Sequence, residues 1–308
     1  MNSTDKCVSV IIPSYNRGHL LERTVPSYIQ ENVGEVIIVD DASTDNTPKV
    51  VEKLKEKYPE IIYVRMPVNS KQTAAKNIGI KKATLPYIYF GDDDSFITIN
   101  TIEILLSTLN KMNADVVGAR ALYMDNENDN INITNFIRRK SKKFTTLDEV
   151  KKFLDIHNLF SISFDWDYKE PIQVPFCHAC ALVKKDILND ITFDINYTGN
   201  AYREETDLFT RITSVGYKIY YDPSAIQINL PRKTIIKNSS ILKYKLKSAY
   251  FEFLNTYKYL KKNIRFLQSY YSIDEGYKYL WCVYFIDAMK IKIYKFFKLL
   301  INNTLLYI

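Results

Sequence analysis

Three adjacent carboxylates, Asp92, Asp93 and Asp94, stand just beyond an apolar run at residues 87–90 that is typical of a buried strand. On extended backbone, Asp92 and Asp94 would point to one side and Asp93 to the other. Two like charges about 7 Å apart repel by roughly 2–3 kcal/mol at an effective dielectric of about 20. A divalent cation relieves that repulsion, and carboxylate oxygens favour Mg²⁺ or Mn²⁺ over zinc, often with substrate phosphates sharing the ion. The alternative interpretation is a solvated acidic turn.

Two carboxylate pairs could also take part in chemistry. Asp40 and Asp41 follow a second apolar run at residues 36–39, and Glu204 and Glu205 open a predicted helix. Repulsion between neighbouring carboxylates raises the pKa of one of them, which suits a general base working near neutral pH. The alternatives are a capped helix entry for the aspartates and a charged first helical turn for the glutamates.

The elements that would position these carboxylates alternate between strand and helix. Strands are predicted at residues 8–13, 36–39, 61–64 and 87–97, with helices at about 19–30, between 47 and 57, and at 73–82. This order predicts a parallel, doubly wound α/β sheet, in which ligands bind outside the carboxyl ends of the strands. The aspartates and the polar residues 15–17 should therefore meet at one edge. No Gly-x-Gly-x-x-Gly follows the first strand and no Walker A loop occurs, which argues against dinucleotide-binding and P-loop proteins.

Composition is that of an ordinary globular protein. The 308 residues are 46% hydrophobic and 25% charged, enough for one large domain with an appendage. No apolar run of about 20 residues predicts a spanning helix, and the N-terminus lacks a signal-peptide pattern. Four cysteines without a regular framework indicate a reducing compartment, so we predict a cytoplasmic protein. Cys177 and Cys180 form C-x-x-C, but no second pair at finger spacing supports a zinc or redox site.

Positive charge is concentrated near the C-terminus. Residues 235–308 carry 13 Lys and Arg against 4 Asp and Glu, whereas residues 1–234 carry 29 against 31. Apolar side chains of this segment fall on one predicted helical face: Ile286, Met289, Ile293, Phe296, Phe297 and Leu300. Such a helix could contact the anionic inner membrane surface, or pack on the catalytic domain or on a second copy of the chain. Nucleic acid is not an expected partner, because no recognition module accompanies the charge.

Several short motifs follow one another along the chain. They are Pro13-Ser-Tyr-Asn-Arg17, Val39-Asp-Asp-Ala-Ser-Thr-Asp45, Lys76-Asn-Ile-Gly79, the three aspartates, and the segments 174–187, 199–211 and 216–225. Together they resemble the family 2 glycosyltransferases, over roughly residues 8–230. The resemblance implies a GT-A fold: a Rossmann-like α/β domain whose mainly parallel mixed sheet is flanked by helices. We therefore predict a catalytic domain at residues 1–232 and a helical C-terminal extension at 233–308.

The resemblance also implies an activity and roles for residues. The activity would be inverting transfer from a nucleotide-diphosphate sugar, UDP-sugar favoured, to a hydroxyl of a glycan or lipid-linked acceptor. The implied roles are Glu205 as general base with Glu204 second; Asp94 as ligand of Mg²⁺ or Mn²⁺, assisted by Asp92; Asp92 and Asp93 at the ribose; Asp40 and Asp41 at the nucleobase; Pro13, Tyr15 and Arg17 along the nucleotide; and Lys76 near the diphosphate. Asn229 stands where the family often has a metal-binding His.

Two alternatives belong to other functional classes. One is a catalytically inactive sugar-nucleotide-binding or scaffold protein of the same fold. The other is a nucleotidyltransferase, which would need a Gly-rich basic loop after the first strand, and residues 14–16 do not supply one. The sequence lacks the Gln-x-x-Arg-Trp motif of processive polysaccharide synthases, which favours single additions. The sugar, acceptor and linkage stay open.

Overall fold

A computed structural model describes residues 6–130, 132–140, 142–156, 162–231 and 241–304, with backbone alone at 127, 130, 241–246 and 291–304. The strands are β1 (Val8–Ser14), β2 (Val33–Asp40), β3 (Ile61–Arg65), β4 (Tyr87–Phe90), β5 (Ser95–Ile97), β6 (Val116–Tyr123), β7 (Lys142–Lys143), β8 (Trp166–Asp167), β9 (Ile172–Gln173), β10 (Ala181–Lys184) and β11 (Ile219–Asn229). The helices are α1 (Gly18–Thr24), α2 (Thr47–Lys57), α3 (Lys71–Lys82), α4 (Thr101–Lys111), α5 (Ile133–Lys140), α6 (Leu147–Phe153), α7 (Ile187–Asp190), α8 (Glu204–Ser214), α9 (Ile241–Tyr271) and α10 (Tyr277–Thr304). Single 3₁₀ turns lie at Val25–Tyr28 and Glu127–Asn130.

A mixed, mainly parallel sheet forms the centre of the fold. Its strand order is β3-β2-β1-β4-β10-β6-β11-β5, with β9 paired to β11. The pairs among β1, β2, β3 and β4 are parallel, as the alternating pattern predicts, whereas β10 lies antiparallel between β4 and β6. Apolar, β-branched runs such as β1 and β2 are buried because helices cover both faces of the sheet. The predicted fold class, including the C-terminal helices, is confirmed.

The predicted fourth strand is divided in two. Strand β4 ends at Phe90, the chain turns at Asp93 and Asp94, and β5 then pairs antiparallel with β11. Asp93 and Asp94 therefore lie in a turn and not on a strand, and both approach Arg17, so the predicted alternation of the side chains is wrong. A turn breaks the two-residue period on which that prediction depended.

The C-terminal helices pack on the sheet domain. Tyr259, Leu260 and Leu267 of α9 and Leu280 of α10 are buried in the main apolar core. On the outer side of α10, Ile286 remains 52% exposed, and the side chains beyond residue 290 lie outside the description. Packing on the domain thus accounts for one face of these helices, while membrane contact and self-association stay predictions. Among the described residues, no helix combines the length and apolar character needed to cross a membrane.

Candidate active site

A cleft of about 690 Å³ opens at the carboxyl ends of β1 and β2 and at the turn after β4. Its lining includes seven of the predicted site residues: Pro13, Tyr15, Arg17, Asp41, Asp92, Asp93 and Asp94. The lining also contains residues that sequence reasoning did not select, among them Lys71, Gln72, Asn200, Lys247 and Phe251. Parallel strand ends therefore do bring these polar residues to one place, as sheet topology predicts.

The loop after β1 is shaped by Asn16. Its backbone has a φ of 55°, in the left-handed region that asparagine tolerates better than most residues. Its side-chain oxygen accepts a hydrogen bond from the Thr44 N–H (2.7 Å), and its own N–H donates to Ser43 Oγ (2.9 Å). These bonds join the loop after β1 to the loop after β2. They hold the neighbouring Tyr15 and Arg17 at the cleft.

Arg17 contacts two of the three aspartates. Its Nη1 lies 3.2 Å from Asp94 Oδ2 and 3.6 Å from Asp93 Oδ1. Asp93 also accepts a hydrogen bond from Ser14 Oγ at 2.9 Å. One guanidinium thus offsets part of the charge of two carboxylates, and Asp93 and Asp94 face a common cation.

Asp92 is held separately from its neighbours. Its Oδ2 accepts a hydrogen bond from Gln227 Nε2 (3.2 Å), and Gln227 in turn accepts one from Tyr89 Oη (2.9 Å). The Asp92 N–H donates to Tyr28 Oη at 3.1 Å. Neither tyrosine nor the glutamine stands out in the sequence, because each comes from a different strand or turn and nothing local marks it.

Burial makes these carboxyls reluctant to ionise. It raises the pKa of Asp92 and of Asp93 to about 7, and repulsion from Asp94 adds to both shifts. Lys76 and Arg17 oppose the shifts in pKa without cancelling them. A bound cation would favour the ionised forms, so the electrostatics suit a positively charged ligand here.

The donor set fits a hard divalent cation. Asp94 and Asp92 offer carboxylate oxygens to the cleft, the ligand type that Mg²⁺ and Mn²⁺ prefer. Within the described residues, however, no group of three or more His, Cys, Asp or Glu is arranged around one point. The amide of Asn229 donates to the Leu122 carbonyl (3.2 Å) and is largely buried. A metal would therefore depend on Asp94, Asp92 and oxygens of the ligand itself.

Asp40 and Asp41 have different surroundings. Asp40 is fully buried and accepts hydrogen bonds from Tyr63 Oη (2.6 Å) and the Ser43 N–H (2.7 Å), with Arg65 at 3.2 Å. It does not line the cleft, and the contacts it makes join β2 to β3 and to the loop after β2; its predicted place at the nucleobase stays a prediction. Strand alternation explains the difference, since adjacent residues at a strand end point to opposite faces.

Asp41 does line the cleft. Its two carboxylate oxygens accept hydrogen bonds from the backbone N–H groups of Ser70 (2.6 Å) and Lys71 (2.8 Å). This contact fixes the start of α3 beside the cleft, and negative charge at a helix N-terminus is favourable. The predicted role of Asp41 at the nucleobase stays a prediction.

Glu204 and Glu205 share one buried lysine at the start of α8. Lys76 Nζ lies 2.9 Å from Glu204 Oε1 and 2.8 Å from Glu205 Oε1, and its side chain is completely buried. Gln72 Nε2 donates a further hydrogen bond to Glu204 Oε1 at 2.6 Å. The Lys76 amine therefore faces the glutamates, and Lys76 is not among the residues lining the cleft; its predicted place near a diphosphate stays a prediction. Its motif, Lys76 to Gly79, gives no sign of partners about 130 positions away.

The two glutamates differ in exposure and in pKa. Burial raises the pKa of Glu204 to about 7 despite the attraction of Lys76. For Glu205, burial acts in the same direction, but the charge and hydrogen bond of Lys76 and a bond from the Ala179 N–H outweigh it and lower the pKa. The raised pKa expected for the general base thus falls on Glu204. Glu205 is ionised at neutral pH and is 24% exposed, against 3% for Glu204, so Glu205 is the more accessible of the pair.

The glutamate pair and the aspartates belong to one electrostatic neighbourhood. Repulsion from Glu205 contributes to the raised pKa of Asp92, and the positive charge of Lys76 opposes it. His178 lies within electrostatic range of Glu205, and burial lowers the pKa of its ring. The cleft edge formed by the aspartates therefore favours a bound cation, and Glu205, which is not among the residues lining the cleft, lies within electrostatic range of Asp92.

The remaining candidates have structural contacts. Cys177 and Cys180 are free, buried thiols, and Cys180 Sγ lies 3.4 Å from the Ala119 carbonyl. Asp207 pairs with Arg211 at 2.8 Å, and residues at the i,i+4 spacing lie next to each other on a helix. Asp207 also receives Lys262 Nζ (3.0 Å) and Asn263 Nδ2 (2.8 Å) from α9, contacts that no local pattern indicates.

Comparison with known proteins identifies relatives of this arrangement. A segment of the minor teichoic acid biosynthesis protein GgaB of Bacillus subtilis (strain 168) is 28% identical over 195 residues, 61% of this chain but only 19% of that protein. The mannosyltransferase PcManGT of Pyrobaculum calidifontis, solved with GDP-Man and Mn²⁺, aligns with a TM-score of 0.57 and 19% identity, covering 85% of this chain and 65% of the other. S. aureus TarS 1-349 in complex with UDP-GlcNAc gives a TM-score of 0.53 and 17% identity, covering 85% and 73%.

These structural likenesses show a shared fold. The family-level evidence comes from the sequence itself, since the model described as "Glycosyl transferase family 2" matches residues 9–192, more than half of the chain. The match contains β1, the Asp41 loop and the three aspartates that line the cleft. The chain therefore belongs to glycosyl transferase family 2.

Proposed function

We propose that the protein is an inverting glycosyltransferase that transfers a sugar from a nucleotide-diphosphate donor, UDP-sugar favoured, to a hydroxyl of an acceptor. The observation that carries the proposal is that Asp92, Asp93 and Asp94 line one cleft while the ionised, partly exposed Glu205 lies within electrostatic range of Asp92. A displacement reaction of this kind needs two things. The leaving diphosphate must be stabilised, and a base must accept the proton of the incoming hydroxyl.

Glu205 acts as the general base in this proposal. Its carboxylate accepts the proton of the acceptor hydroxyl as that oxygen bonds to the anomeric carbon, and the bond from this carbon to the donor diphosphate breaks. Attack from the face opposite the leaving group inverts the anomeric centre. Lys76 holds the Glu205 carboxylate in place at 2.8 Å, and Glu204 shares the same ammonium at 2.9 Å.

The aspartates serve the donor in this proposal. Asp94 and Asp92 would hold Mg²⁺ or Mn²⁺, which would offset the charge developing on the leaving diphosphate. Asp93, Tyr15, Pro13 and Arg17 would line the nucleotide, with Arg17 also neutralising Asp93 and Asp94 until the ligand binds. The solved neighbours bind UDP-GlcNAc or GDP-Man, and one of them holds Mn²⁺, which supports this choice of donor and metal.

The acceptor is proposed as a glycan or a lipid-linked glycan. The relative named for minor teichoic acid biosynthesis supports an acceptor of the teichoic acid type within that class. This chain matches only a fifth of that relative's length, so the relative supports a substrate class and no particular substrate.

A matched pair of variants tests the mechanism. Glu205→Gln keeps the shape of the side chain but removes its basicity, so we expect UDP release from UDP-sugars with Mn²⁺ to fall by at least about 1,000-fold while UDP binding survives. Glu204→Gln should retain much of the activity, because the burial of Glu204 keeps it from the acceptor. Full activity of Glu205→Gln would refute the assignment. A wild-type protein that binds UDP-sugars with Mn²⁺ and neither transfers nor hydrolyses them would instead support the inactive sugar-nucleotide-binding alternative.

A further inference from the structure

One wall of the cleft comes from the C-terminal helix α9. Lys247, Ser248 and Phe251 line the same cleft as the three aspartates. All three lie beyond residue 192, where the family match ends. The basic C-terminal segment therefore reaches the site, a use of its charge that the motifs do not indicate.

Direct contacts fix this wall to the loop before α8. Asn200 Nδ2 donates to Ser248 Oγ at 3.1 Å, and Asn255 Nδ2 donates to the Thr198 carbonyl at 2.9 Å. Gly199 has a φ of 72° and packs so closely on Phe251 that a Cβ atom there would lie 2.1 Å from the ring. The position of α9 is thus set by the loop that leads into Glu204 and Glu205.

The cleft has positive charge that its own carboxylates do not neutralise. Arg17 is paired with Asp93 and Asp94, whereas Lys71 Nζ donates to the neutral side-chain oxygen of Asn69. Lys247 is exposed, and in the part of the chain that the structure describes it pairs with no carboxylate. Lys71 and Lys247 therefore remain available to an anionic ligand, while the amine of Lys76 is occupied by the glutamates.

We propose that Lys247 of α9, together with Lys71, binds the diphosphate of the nucleotide donor. The inference rests on the proposed function and adds a binding residue from outside the family match. Ammonium groups bind phosphate oxygens through charge-assisted hydrogen bonds, which strengthen as negative charge accumulates on the leaving group. Helix α9 is accordingly part of the donor site.

Binding measurements on the full chain test the inference. Isothermal titration calorimetry in the presence of Mn²⁺ would measure the affinity for UDP and GDP and for uridine and guanosine. The proteins compared would be wild type, Lys247→Met, Lys247→Arg and Lys261→Met. Lys261 is an exposed lysine on the same helix, away from the cleft, and serves as the matched control. We expect Lys247→Met to weaken binding of the nucleoside diphosphate about tenfold and to leave nucleoside binding unchanged, since one charge-assisted hydrogen bond is lost. Lys247→Arg should retain most of the affinity, and Lys71→Met should repeat the loss.

The outcomes separate the inference from the proposed function. Wild-type preference for a nucleoside diphosphate over its nucleoside, unchanged in Lys247→Met, would overturn the inference and leave the proposed function intact. An equal loss in Lys261→Met would also overturn it, because the effect would then be one of general charge. A wild-type protein that binds no nucleoside diphosphate would overturn both.

Discussion

Replacing Lys76 with Met is expected to destabilise the protein strongly and in a pH-dependent way. The substitution keeps an unbranched side chain of similar length but leaves Glu204 and Glu205 facing each other without their shared cation. Removing one partner of a buried ion pair typically costs about 3–5 kcal/mol. Glu204 is only 3% exposed and should bear most of that cost, whereas Glu205, at 24%, can be partly hydrated.

The pH dependence follows from the carboxyls that remain. Without Lys76, the already raised pKa of Glu204 should rise further, and the pKa of Glu205 should rise because it loses the cation that lowers it. A group with a raised folded-state pKa contributes stability below its unfolded pKa and loses it as the pH rises through the folded pKa. The gap in stability between wild type and Lys76→Met should therefore be small near about pH 5.5 and widest near about pH 8.

Urea unfolding followed by circular dichroism at several pH values measures this gap. Lys81→Met, at an exposed position of the same helix, is the matched control and should stay within about 0.5 kcal/mol of wild type. Adding Glu204→Gln to Lys76→Met should recover part of the loss at high pH, because it removes one unpaired charge. The reasoning is refuted if Lys76→Met matches Lys81→Met at about pH 8, or if the gap narrows as the pH rises.

Three further predictions concern aspartate residues, two at the cleft and one on α8. Asp94→Asn removes a proposed metal ligand, so Mn²⁺-dependent donor turnover should fall by about 100-fold; unchanged dependence on Mn²⁺ would contradict the metal assignment. Because burial raises the pKa of Asp92 and Asp93 to about 7, the metal-free protein should lose stability as the pH rises from about 5 to 8. Thermal melts in EDTA should show this fall, and Mn²⁺ should reduce it; a rise in stability with pH would count against the burial argument. Asp207→Asn leaves Lys262 and Arg211 without their fully buried partner, so urea unfolding should show that the free energy of unfolding falls by about 3 kcal/mol. A fall below about 1 kcal/mol would show that these contacts contribute little to stability.

Local pattern was sufficient for much of the fold. The apolar runs and helical periods predict β1 to β3 and α2 and α3 within a few residues, because burial on a sheet or helix face leaves a periodic trace in the sequence. Parallel topology then predicts that Tyr15, Arg17 and Asp41 meet the three aspartates, and the cleft contains them all. The i,i+4 pair of Asp207 and Arg211 is equally local.

Contacts between distant parts of the chain required the structure. Lys76 and Glu205 are separated by 129 positions, and a lysine in a short motif carries no mark of whether it faces a ligand or a buried glutamate. Asp40 and Asp41 are chemically identical, buried neighbours, and only the direction of each side chain in the folded protein places Asp41 and not Asp40 at the cleft.

Asp92, Asp93 and Asp94 also show which properties the sequence determines and which the tertiary structure decides. Sequence determined that they follow a buried strand at the ligand-binding edge, since strand pattern and topology are enough for that. Only the tertiary structure decided that the chain turns at Asp93, that Arg17 joins Asp93 and Asp94, and that Lys247 of α9 completes the cleft. The physical reason is that burial and long-range packing set the charge and direction of a side chain, whereas local sequence sets only the element that carries it.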